Sequence, residues 1–264
     1  MRFSIITPNY NGELFLEKTI LSILEQKRQG TDLEYIVVDG GSTDNSIDIL
    51  EKYKNEIDIL IVEKDNGPAD AINKGLSLAT GDILAWLNAD DIYFPNALNR
   101  VAECFQSNSS LAFVFGKCPI VDCQQKEIRS GITRFKELFF PVNSRFTYQC
   151  INYISQPAMF FLKDAYQKTG SLRNDMIAAW DYEFILRLWH QGKGSCLQGP
   201  PLAAFRWHEE SISGQNFNVQ FQEELEYAIK DAGKFSPQTM IHHCVRAGIV
   251  TIYSAMSWIR AQRN

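Results

Sequence analysis

The stretch Leu84-Ala85-Trp86-Leu87-Asn88-Ala89-Asp90-Asp91 decides the fold, because an apolar run in it ends abruptly in amide and carboxylate side chains. The apolar run predicts a buried strand whose carboxyl end lies at Asn88. Open α/β sheets bind their ligands at the carboxyl ends of the strands. Oxygen ligands crowded at such an end are suited to Mg²⁺ or Mn²⁺, and such an ion is suited to a diphosphate. The stretch therefore predicts an α/β fold with a ligand site at this strand end.

Three earlier segments have the same arrangement, an apolar run followed by polar residues. These runs are residues 3–7, 34–39 and 59–63. Runs that are apolar on both faces are typical of strands in a parallel sheet. A single polar residue at a strand end is usually a turn residue, but several in register indicate a site. We expect four such residues to converge at one sheet edge: Asn9, Asp39, Asp65 and Asp90.

Helical patterns separate these strands. Apolar residues recur at spacings of three and four between the runs, and Pro68 is well placed for the first turn of a third helix. Alternating strands and helices predict the α/β class. We expect a doubly wound, mostly parallel sheet flanked by helices, with right-handed crossovers.

The alternation becomes irregular after about residue 110, most of all over residues 117–155. We expect this region to be a substrate-shaping half of the same domain. From Gln220 onward the pattern is helical. The predicted organisation is one domain over residues 1–215, with halves at 1–110 and 111–215, and a helical C-terminal tail over residues 216–264.

Composition excludes several classes of protein. A net charge of −5 gives no reason to expect a nucleic-acid partner. The six cysteines form no C-x-x-C pair, which argues against a zinc site or a disulfide framework and is typical of a reducing cytosol. The first residues do not have the pattern of a signal peptide, and no run reaches the roughly 18 apolar residues of a membrane span. We therefore expect a cytoplasmic protein.

The end of the tail leaves a membrane contact open. Its apolar and aromatic residues, flanked by arginines, suit a helix that lies on the inner face of a membrane, although ordinary helix packing explains them nearly as well. These residues are Tyr253, Met256, Trp258 and Ile259, with Arg246, Arg260 and Arg263 beside them.

The common phosphate-binding motifs are missing. Gly-x-Gly-x-x-Gly does not follow the first strand, and the chain has no P-loop. These absences disfavour a nicotinamide or flavin enzyme and a P-loop nucleotidase. A bound phosphate therefore needs another partner, and a divalent metal ion, Mn²⁺ or Mg²⁺, is the obvious candidate.

Several short motifs together resemble a known family. In order and spacing they are similar to the family 2 glycosyltransferases with the GT-A fold, strongly over residues 1–95 and moderately over 150–215. The motifs are Thr7-Pro8-Asn9-Tyr10-Asn11, Val38-Asp39-Gly40-Gly41-Ser42-Thr43-Asp44, Asp65-Asn66-Gly67, Asp70-Ala71-Ile72-Asn73-Lys74-Gly75, Thr80-Gly81-Asp82 and Leu87-Asn88-Ala89-Asp90-Asp91.

The resemblance implies an inverting, non-processive transferase that takes a nucleotide-sugar donor, most often a UDP-sugar, and a glycan or lipid-linked acceptor. The first half of the domain would then bind the nucleotide and the second half the acceptor. Lys74 is open to a second interpretation, as a solvated helix residue. The implied donor contacts are Thr7, Pro8, Asn9, Tyr10, Asp39, Asp65, Asp70, Asn73, Lys74, Asn88, Ala89 and Asp91.

The same resemblance implies a metal site. Asp90 corresponds to the metal-binding acid of the family's Asp-x-Asp motif. Asn88 departs from the first acid of that motif, and its amide brings no charge. His208 follows the late strand that would close the site, and it is our candidate for a second metal or diphosphate contact. Asp91 would approach the donor sugar or cap the loop.

The catalytic base is assigned to Ala179-Trp180-Asp181-Tyr182-Glu183, which resembles the family's acidic segment at a helix start. Asp181 would remove the proton of the acceptor hydroxyl, a poor nucleophile until it is deprotonated. The alternative is that Asp181 only caps its helix. Glu183 should face elsewhere, and Gln156 and Trp180 are weaker candidates for acceptor contacts.

Other interpretations remain. Processive members carry Gln-x-x-Arg-Trp, but here Ala203 precedes Arg206-Trp207, so polymer extrusion is not expected. A nucleotidyltransferase that makes nucleotide-sugars would need a basic, Gly-rich loop after the first strand, and residues 8–13 carry no cation. A non-catalytic nucleotide-sugar-binding protein is favoured only by Asn88. Donor sugar, acceptor and oligomeric state are not readable from the sequence.

Overall fold

The computed structural model describes residues 1–209 and 211–261, without the side chains of 213, 250 and 252–261. The strands are β1 Phe3–Asn9, β2 Leu33–Asp39, β3 Ile59–Val62, β4 Ile83–Trp86, β5 Ile92–Tyr93, β6 Leu111–Gly116, β7 Ile120–Val121, β8 Glu127–Ile128, β9 Met159–Leu162, β10 Lys193–Leu197 and β11 Ala203–Arg206. The helices are α1 Leu16–Arg28, α2 Ser46–Tyr53, α3 Pro68–Leu78, α4 Ala97–Ser107, α5 Ser130–Glu137, α6 Arg145–Cys150, α7 Lys163–Thr169, α8 Trp180–Leu188, α9 Ile212–Gln215, α10 Phe217–Ala232 and α11 Pro237–Ala261. Short 3₁₀ turns occur at Phe140–Val142 and Gln156–Ala158.

The central sheet confirms the predicted α/β class. Its seven strands lie in the order β10-β6-β9-β4-β1-β2-β3. Neighbours pair in parallel except at β9, which runs antiparallel to both β4 and β6. In the part of the chain that the structure describes, β9 is therefore the single reversed strand of a mostly parallel sheet. A smaller sheet, β5-β11-β7-β8, was not predicted.

The burial of the strands explains their sequences. Every residue of β1, β2 and β4 is buried, which is why these segments read as continuous apolar runs. Two apolar cores cover the two faces of the sheet, one containing Ile6, Trp86 and Phe184 and the other containing Ile5 and Leu98. The carboxyl ends of β1, β2 and β4 consequently share one edge.

Some local predictions need correction. The spacing of Tyr182, Ile185, Leu188 and Trp189 predicts an amphipathic helix, but α8 is buried on nearly all sides because it packs in the core. The sequence also predicts a helix that begins near Pro95, but α4 begins at Ala97, because Asn96 adopts a left-handed conformation (φ 61°) before it. The irregular residues 117–155 contain two short strands and two helices.

The C-terminal tail is helical, as predicted, and its first helix is fastened to the domain. The Asp231 carboxylate of α10 accepts hydrogen bonds from the Arg145 guanidinium at 2.7 Å and from the Gln149 amide at 2.6 Å. In α11, His242 bonds the Gln149 carbonyl through Nδ1 at 2.9 Å. Helix α6 thus holds both tail helices.

Among the residues described, no helix has the length and apolar character needed to cross a lipid bilayer. The membrane-surface prediction depends on the side chains of Tyr253, Met256, Trp258, Ile259, Arg260 and Arg263, which lie outside the described residues.

Candidate functional site

A cavity of about 1860 Å³ opens at the carboxyl edge of the central sheet. Its wall begins at the ends of β1 and β4, continues past the start of α8, and reaches helices α10 and α11. The cavity therefore brings polar strand ends and the acidic start of α8 to one space. Predicted site residues in its wall are Pro8, Asn9, Tyr10, Asp65, Asn88, Ala89, Asp90, Gln156, Trp180, Asp181 and His208.

Asp39, the last residue of β2, supports the loops that form the first part of this wall. Asp39 is fully buried, and its Oδ1 accepts the backbone N–H groups of Gly41 at 3.0 Å and Ser42 at 2.8 Å. Its Oδ2 accepts the Asn9 amide at 2.6 Å and the Ser42 hydroxyl at 2.7 Å. These four bonds fill the carboxylate, so Asp39 holds the loops after β1 and β2 together in this structure.

Asn9 and Asp65 face the cavity over this support. Asn9 Oδ1 is buried without a hydrogen bond from any described residue, which leaves an acceptor for a ligand. The Asp65 carboxylate accepts the Gly67 N–H at 2.9 Å. A Cβ at Gly40 would lie 2.5 Å from Asp65 Oδ2, so a larger residue at position 40 would displace the Asp65 carboxylate.

The predicted donor contacts at Thr7, Asp70, Asn73 and Lys74 lie outside the cavity wall. Thr7 is fully buried and receives the Tyr35 hydroxyl hydrogen bond at 3.2 Å. The Asn73 amide bonds Leu172 in both directions, at 2.8 Å each.

Lys74 and Asp70 are occupied on the outer surface of α3. Lys74 forms an ion pair with Glu63 at 2.9 Å and approaches Asp70 at 3.6 Å. Asp70 also accepts the Asn66 backbone N–H at 3.0 Å. Their positions favour structural roles, so they are not kept among the donor contacts that we propose.

Asp90 and His208 form the pair best suited to a metal ion. Asp90 Oδ2 lies 3.0 Å from His208 Nε2, and both side chains are partly exposed to the cavity. A carboxylate and an imidazole are ligands that Mn²⁺ accepts. The described residues contain no cluster of three such ligands, so diphosphate oxygens and water would have to complete the shell. The pair fits a divalent ion held jointly by protein and substrate.

Asn88 and Asp91 have different surroundings. Asn88 lines the cavity, and its amide lies 3.4 Å from Asp91 Oδ2. Asp91 is fully buried, outside the cavity wall, and its Oδ1 accepts the Arg206 backbone N–H at 2.8 Å. Burial and the neighbouring Asp90 carboxylate raise the pKa of Asp91 well above its usual range. Asp91 thus holds the loop, and the donor contact expected for it is not what its position favours.

Asp181 is the second residue of α8 and lines the cavity. Ala179 occupies the N-cap position of the helix, and the Asp181 Oδ1 accepts the N–H of Tyr182 at 2.7 Å. Burial, followed by the negative charge of Glu224, raises the pKa of Asp181 to about 6. A carboxylate with such a pKa can take a proton near neutral pH. Glu183 faces elsewhere and pairs with Arg187 at 2.7 Å.

Gln156 and Trp180 complete the wall between the two ends. Gln156 is 7% exposed, and its amide donates to the Trp86 carbonyl at 2.7 Å. Trp180 is also 7% exposed and lines the cavity directly beside Asp181. Both residues line the cavity that contains Asp181.

The family model for "Glycosyl transferase family 2" matches residues 4–170. The chain belongs to glycosyl transferase family 2. The matched segment contains the strand ends and Asp90, whereas Asp181 and His208 follow it.

Relatives of this family 2 chain are also named as glycosyltransferases. An uncharacterized glycosyltransferase of Haemophilus influenzae is 28% identical over 232 residues, covering 84% of this chain and 88% of the relative. An uncharacterized glycosyltransferase of Nostoc is 35% identical over 141 residues, or 52% of this chain. That match spans only 43% of the Nostoc protein.

Solved structures share the fold. Staphylococcus aureus TarS 1–349 in complex with UDP-GlcNAc matches with a TM-score of 0.70 and 19% identity, over 92% of this chain and 70% of TarS 1–349. The mannosyltransferase PcManGT from Pyrobaculum calidifontis, in complex with GDP-Man and Mn²⁺, matches with a TM-score of 0.65 and 16% identity, over 97% and 80% of the two chains. At these identities the likeness establishes the GT-A fold.

Two features of the site in this family 2 chain were not predicted from the sequence. Arg206 is fully buried and donates through Nε to the Asp90 carbonyl at 2.7 Å and through Nη1 to the Asp122 carbonyl at 2.9 Å. It also lies over the Phe15 ring, 4.7 Å from its centre. Arg206 therefore anchors the loop that carries Asp90, and the Arg-Trp dipeptide was the available signal.

The second feature lies at the acceptor end and had no sequence signal. Lys136 of α5 and Glu224 of α10 both line the cavity with Asp181. Burial lowers the pKa of Lys136 and raises the pKa of Glu224. Neither residue belongs to a motif, and tertiary packing alone brings them to Asp181.

Proposed function

We propose that this chain transfers a sugar from a nucleotide-sugar, with UDP as the nucleotide to test first, to a hydroxyl of a glycan or lipid-linked acceptor, with inversion at the anomeric carbon. The catalytic unit that we propose is residues 1–215, with donor and acceptor halves at 1–110 and 111–215. The tail completes the acceptor side.

One observation carries this proposal. The wall of a single cavity contains Asn9, Asp65 and Asp90, which we assign to its donor end, and Asp181, which we assign to its acceptor end. Inverting transfer needs a leaving group on one side of the sugar and a base on the opposite side, next to the acceptor. A cavity of this extent offers room for both substrates at once.

The donor end suits a nucleoside diphosphate. Pro8, Asn9 and Tyr10 line it, and the unpartnered Asn9 Oδ1 is an acceptor for a nucleobase or ribose donor. Asp65 lines the same cavity and would accept a ribose hydroxyl. Tyr10 is 64% exposed, so its ring is available to stack on a base. Asp39 supports this pocket through Asn9.

The leaving-group region lies at Asp90, His208 and Asn88. Asp90 and His208 would hold the divalent ion, and Asn88 would contact a donor hydroxyl or a metal-bound water through its amide. When bound, such an ion neutralises charge that develops on the departing diphosphate. Arg206 keeps the Asp90 loop in place through its hydrogen bond to the Asp90 carbonyl.

The acceptor end supplies the base. Asp181 would take the proton of the acceptor hydroxyl as its oxygen attacks the anomeric carbon. The bond from that carbon to the phosphate oxygen breaks, and its electron pair leaves with the nucleoside diphosphate. With a pKa of about 6, the Asp181 carboxylate is ionised at neutral pH but remains basic enough to accept this proton.

The test begins with the donor. A thermal-shift panel of UDP-, GDP- and dTDP-sugars, with and without Mn²⁺, identifies the ligand that raises the melting temperature of the purified protein. Product analysis with that donor then decides the reaction. Release of nucleoside diphosphate together with a new glycoside supports the proposal, whereas release of pyrophosphate, or binding without any turnover, contradicts it.

A further inference from the structure

We propose that helix α10 builds the acceptor side of the site: Glu223 fixes the segment that carries Asp181, and Glu224 binds a hydroxyl of a polyhydroxylated, sugar-like acceptor. The inference rests on the proposed function for the identity of the ligand. Helix α10 lies beyond residues 4–170, which match the family model.

Glu223 holds the start of α8. Its carboxylate accepts the backbone N–H groups of Ile177 at 2.7 Å, Ala178 at 2.9 Å and Ala179 at 2.9 Å. Ala179 occupies the N-cap position of α8, and Ile177 and Ala178 lie just before it, so Glu223 binds the backbone that leads into the helix. A negative charge near a helix start is also favourable. Asp181 follows two residues after Ala179. Glu223 is therefore a positioning residue, because it sets where the helix start places Asp181.

Glu224 lies on the cavity side of the same helix. It is 2% exposed, and its Oε1 accepts the amides of Asn152 at 3.0 Å and Gln220 at 3.1 Å. Glu224 also lines the cavity. None of the hydrogen bonds from the described residues reaches Oε2, so this oxygen can accept one from a ligand. Glu224 thus offers a fixed acceptor atom in the cavity wall.

The charges around Glu224 select the ligand chemistry. Asp181 and Glu224 both lie in one wall, and the nearby Lys136 side chain donates to the Ser155 hydroxyl at 3.3 Å and forms no ion pair with any described residue. When they are ionised, the two carboxylates repel an anionic group and accept hydrogen bonds only. A neutral ligand with neighbouring hydroxyls meets these demands, with one hydroxyl on Asp181 and another on Glu224.

The first test needs no substrate. The groups that face Asp181 are Lys136 of α5, Tyr148 of α6 and Glu224 of α10. We expect Glu224→Gln to lower the pH at which the Asp181 carboxyl titrates, measured by carbon-13 NMR and assigned with Asp181→Asn. Glu226→Gln, on the exposed face of α10, should leave that titration unchanged. An unchanged Asp181 titration in Glu224→Gln would overturn the placement of Glu224.

The second test measures hydrogen exchange at the backbone that leads into α8. Hydrogen exchange at the amides of Ile177, Ala178 and Ala179 should be about tenfold faster in Glu223→Gln, which keeps one acceptor oxygen, and faster still in Glu223→Ala. Glu226→Gln should exchange like the wild type. Equal protection in all variants would overturn the positioning role of Glu223.

The third test measures the acceptor itself. With UDP-GlcNAc as donor and a panel of p-nitrophenyl glycosides as acceptors, Glu224→Gln should raise the acceptor KM about tenfold with little change in UDP affinity. An unchanged acceptor KM would overturn the hydroxyl contact. If the wild type neither binds UDP nor transfers sugar from any donor, the proposed function fails, and the two ligand-free tests still decide whether α10 organises Asp181.

Discussion

The two ends of the cavity are built in different ways. At the donor end, polar residues from neighbouring motifs satisfy one another, as the four hydrogen bonds of Asp39 illustrate. At the acceptor end, Asp181, Glu224 and Lys136 are enclosed with few partners, and burial perturbs the pKa of each.

Carboxylates at the two ends of the cavity therefore make opposite contributions to the stability of the fold. A carboxylate that receives several hydrogen bonds stabilises the fold, whereas a buried carboxylate with few donors costs stability and gains basicity. We therefore interpret the donor end as a preorganised binding site. We interpret the acceptor end as the part of the cavity that contains the more basic, reactive carboxylate.

Replacing the base should have the largest effect. We expect Asp181→Asn to lower kcat of sugar transfer by about 10²- to 10⁴-fold, because the acceptor hydroxyl loses its proton acceptor. UDP affinity, measured by calorimetry, should stay within about threefold, since Asp181 lies at the other end of the cavity. Asp175→Asn, an exposed position before the same helix, is the matched control and should retain normal transfer.

Substitution of Asp90, at the leaving-group site, should have the second-largest effect on transfer. We expect Asp90→Ala to lower transfer by about 10²- to 10³-fold, because charge on the departing diphosphate loses its stabilisation. Chelation by EDTA should inactivate the wild type, and Mn²⁺ should restore it but not the variant. Full activity of the wild type in EDTA would argue that Asp90 and His208 serve the donor without a metal.

Substitution of Asp39 should lower the stability of the protein. Asp39→Asn exchanges an acceptor oxygen for an amide that faces N–H and O–H donors, so we expect a loss of about 2–3 kcal/mol in the free energy of unfolding. Nucleotide affinity should fall with it, because Asn9 loses its support. Urea unfolding and UDP calorimetry measure the two effects, and a variant as stable as the wild type would show that the donor end tolerates rearrangement.

The same substitution at the acceptor end should act in the opposite direction. Burial raises the pKa of Asp181 from 3.8 to about 6, so the ionised form is disfavoured in the folded state. The folded state therefore loses stability as the pH rises from about 4 through 6. Above pH 6, Asp181→Asn should raise the free energy of unfolding by on the order of 2 kcal/mol, and below pH 4 the gain should vanish. A destabilised variant at pH 7 would contradict the energetic contrast.

Much of the fold was predictable from sequence, and the reason is local. Strands such as β1, β2 and β4 are buried on both faces, so their runs are visible without tertiary information. The reversed strand β9 was not predictable, because pairing direction depends on the path of the whole chain. Gly40 and Asp65 are separated in sequence but lie close together, and only the fold reveals that a side chain at position 40 would displace the Asp65 carboxylate.

The candidate site was predictable where motifs carry it. Asn9, Asp65, Asp90 and His208 line the cavity, but Asp70, Asn73 and Lys74 share the motifs and instead tie α3 to its surroundings. A motif records residues that build the site as well as those that contact a ligand, and spacing alone does not separate them. The acceptor end depends on long-range packing and has no spacing to read.

The most direct test of the account is the pH dependence of kcat/KM for transfer, measured in the wild type and in the residual activity of Asp181→Asn. The account predicts that wild-type activity falls about tenfold per pH unit below an apparent pKa of about 6 and is level above it. This acid limb should be absent in the variant. The same limb in Asp181→Asn, or its absence from the wild type, would contradict the assignment of Asp181 as the base.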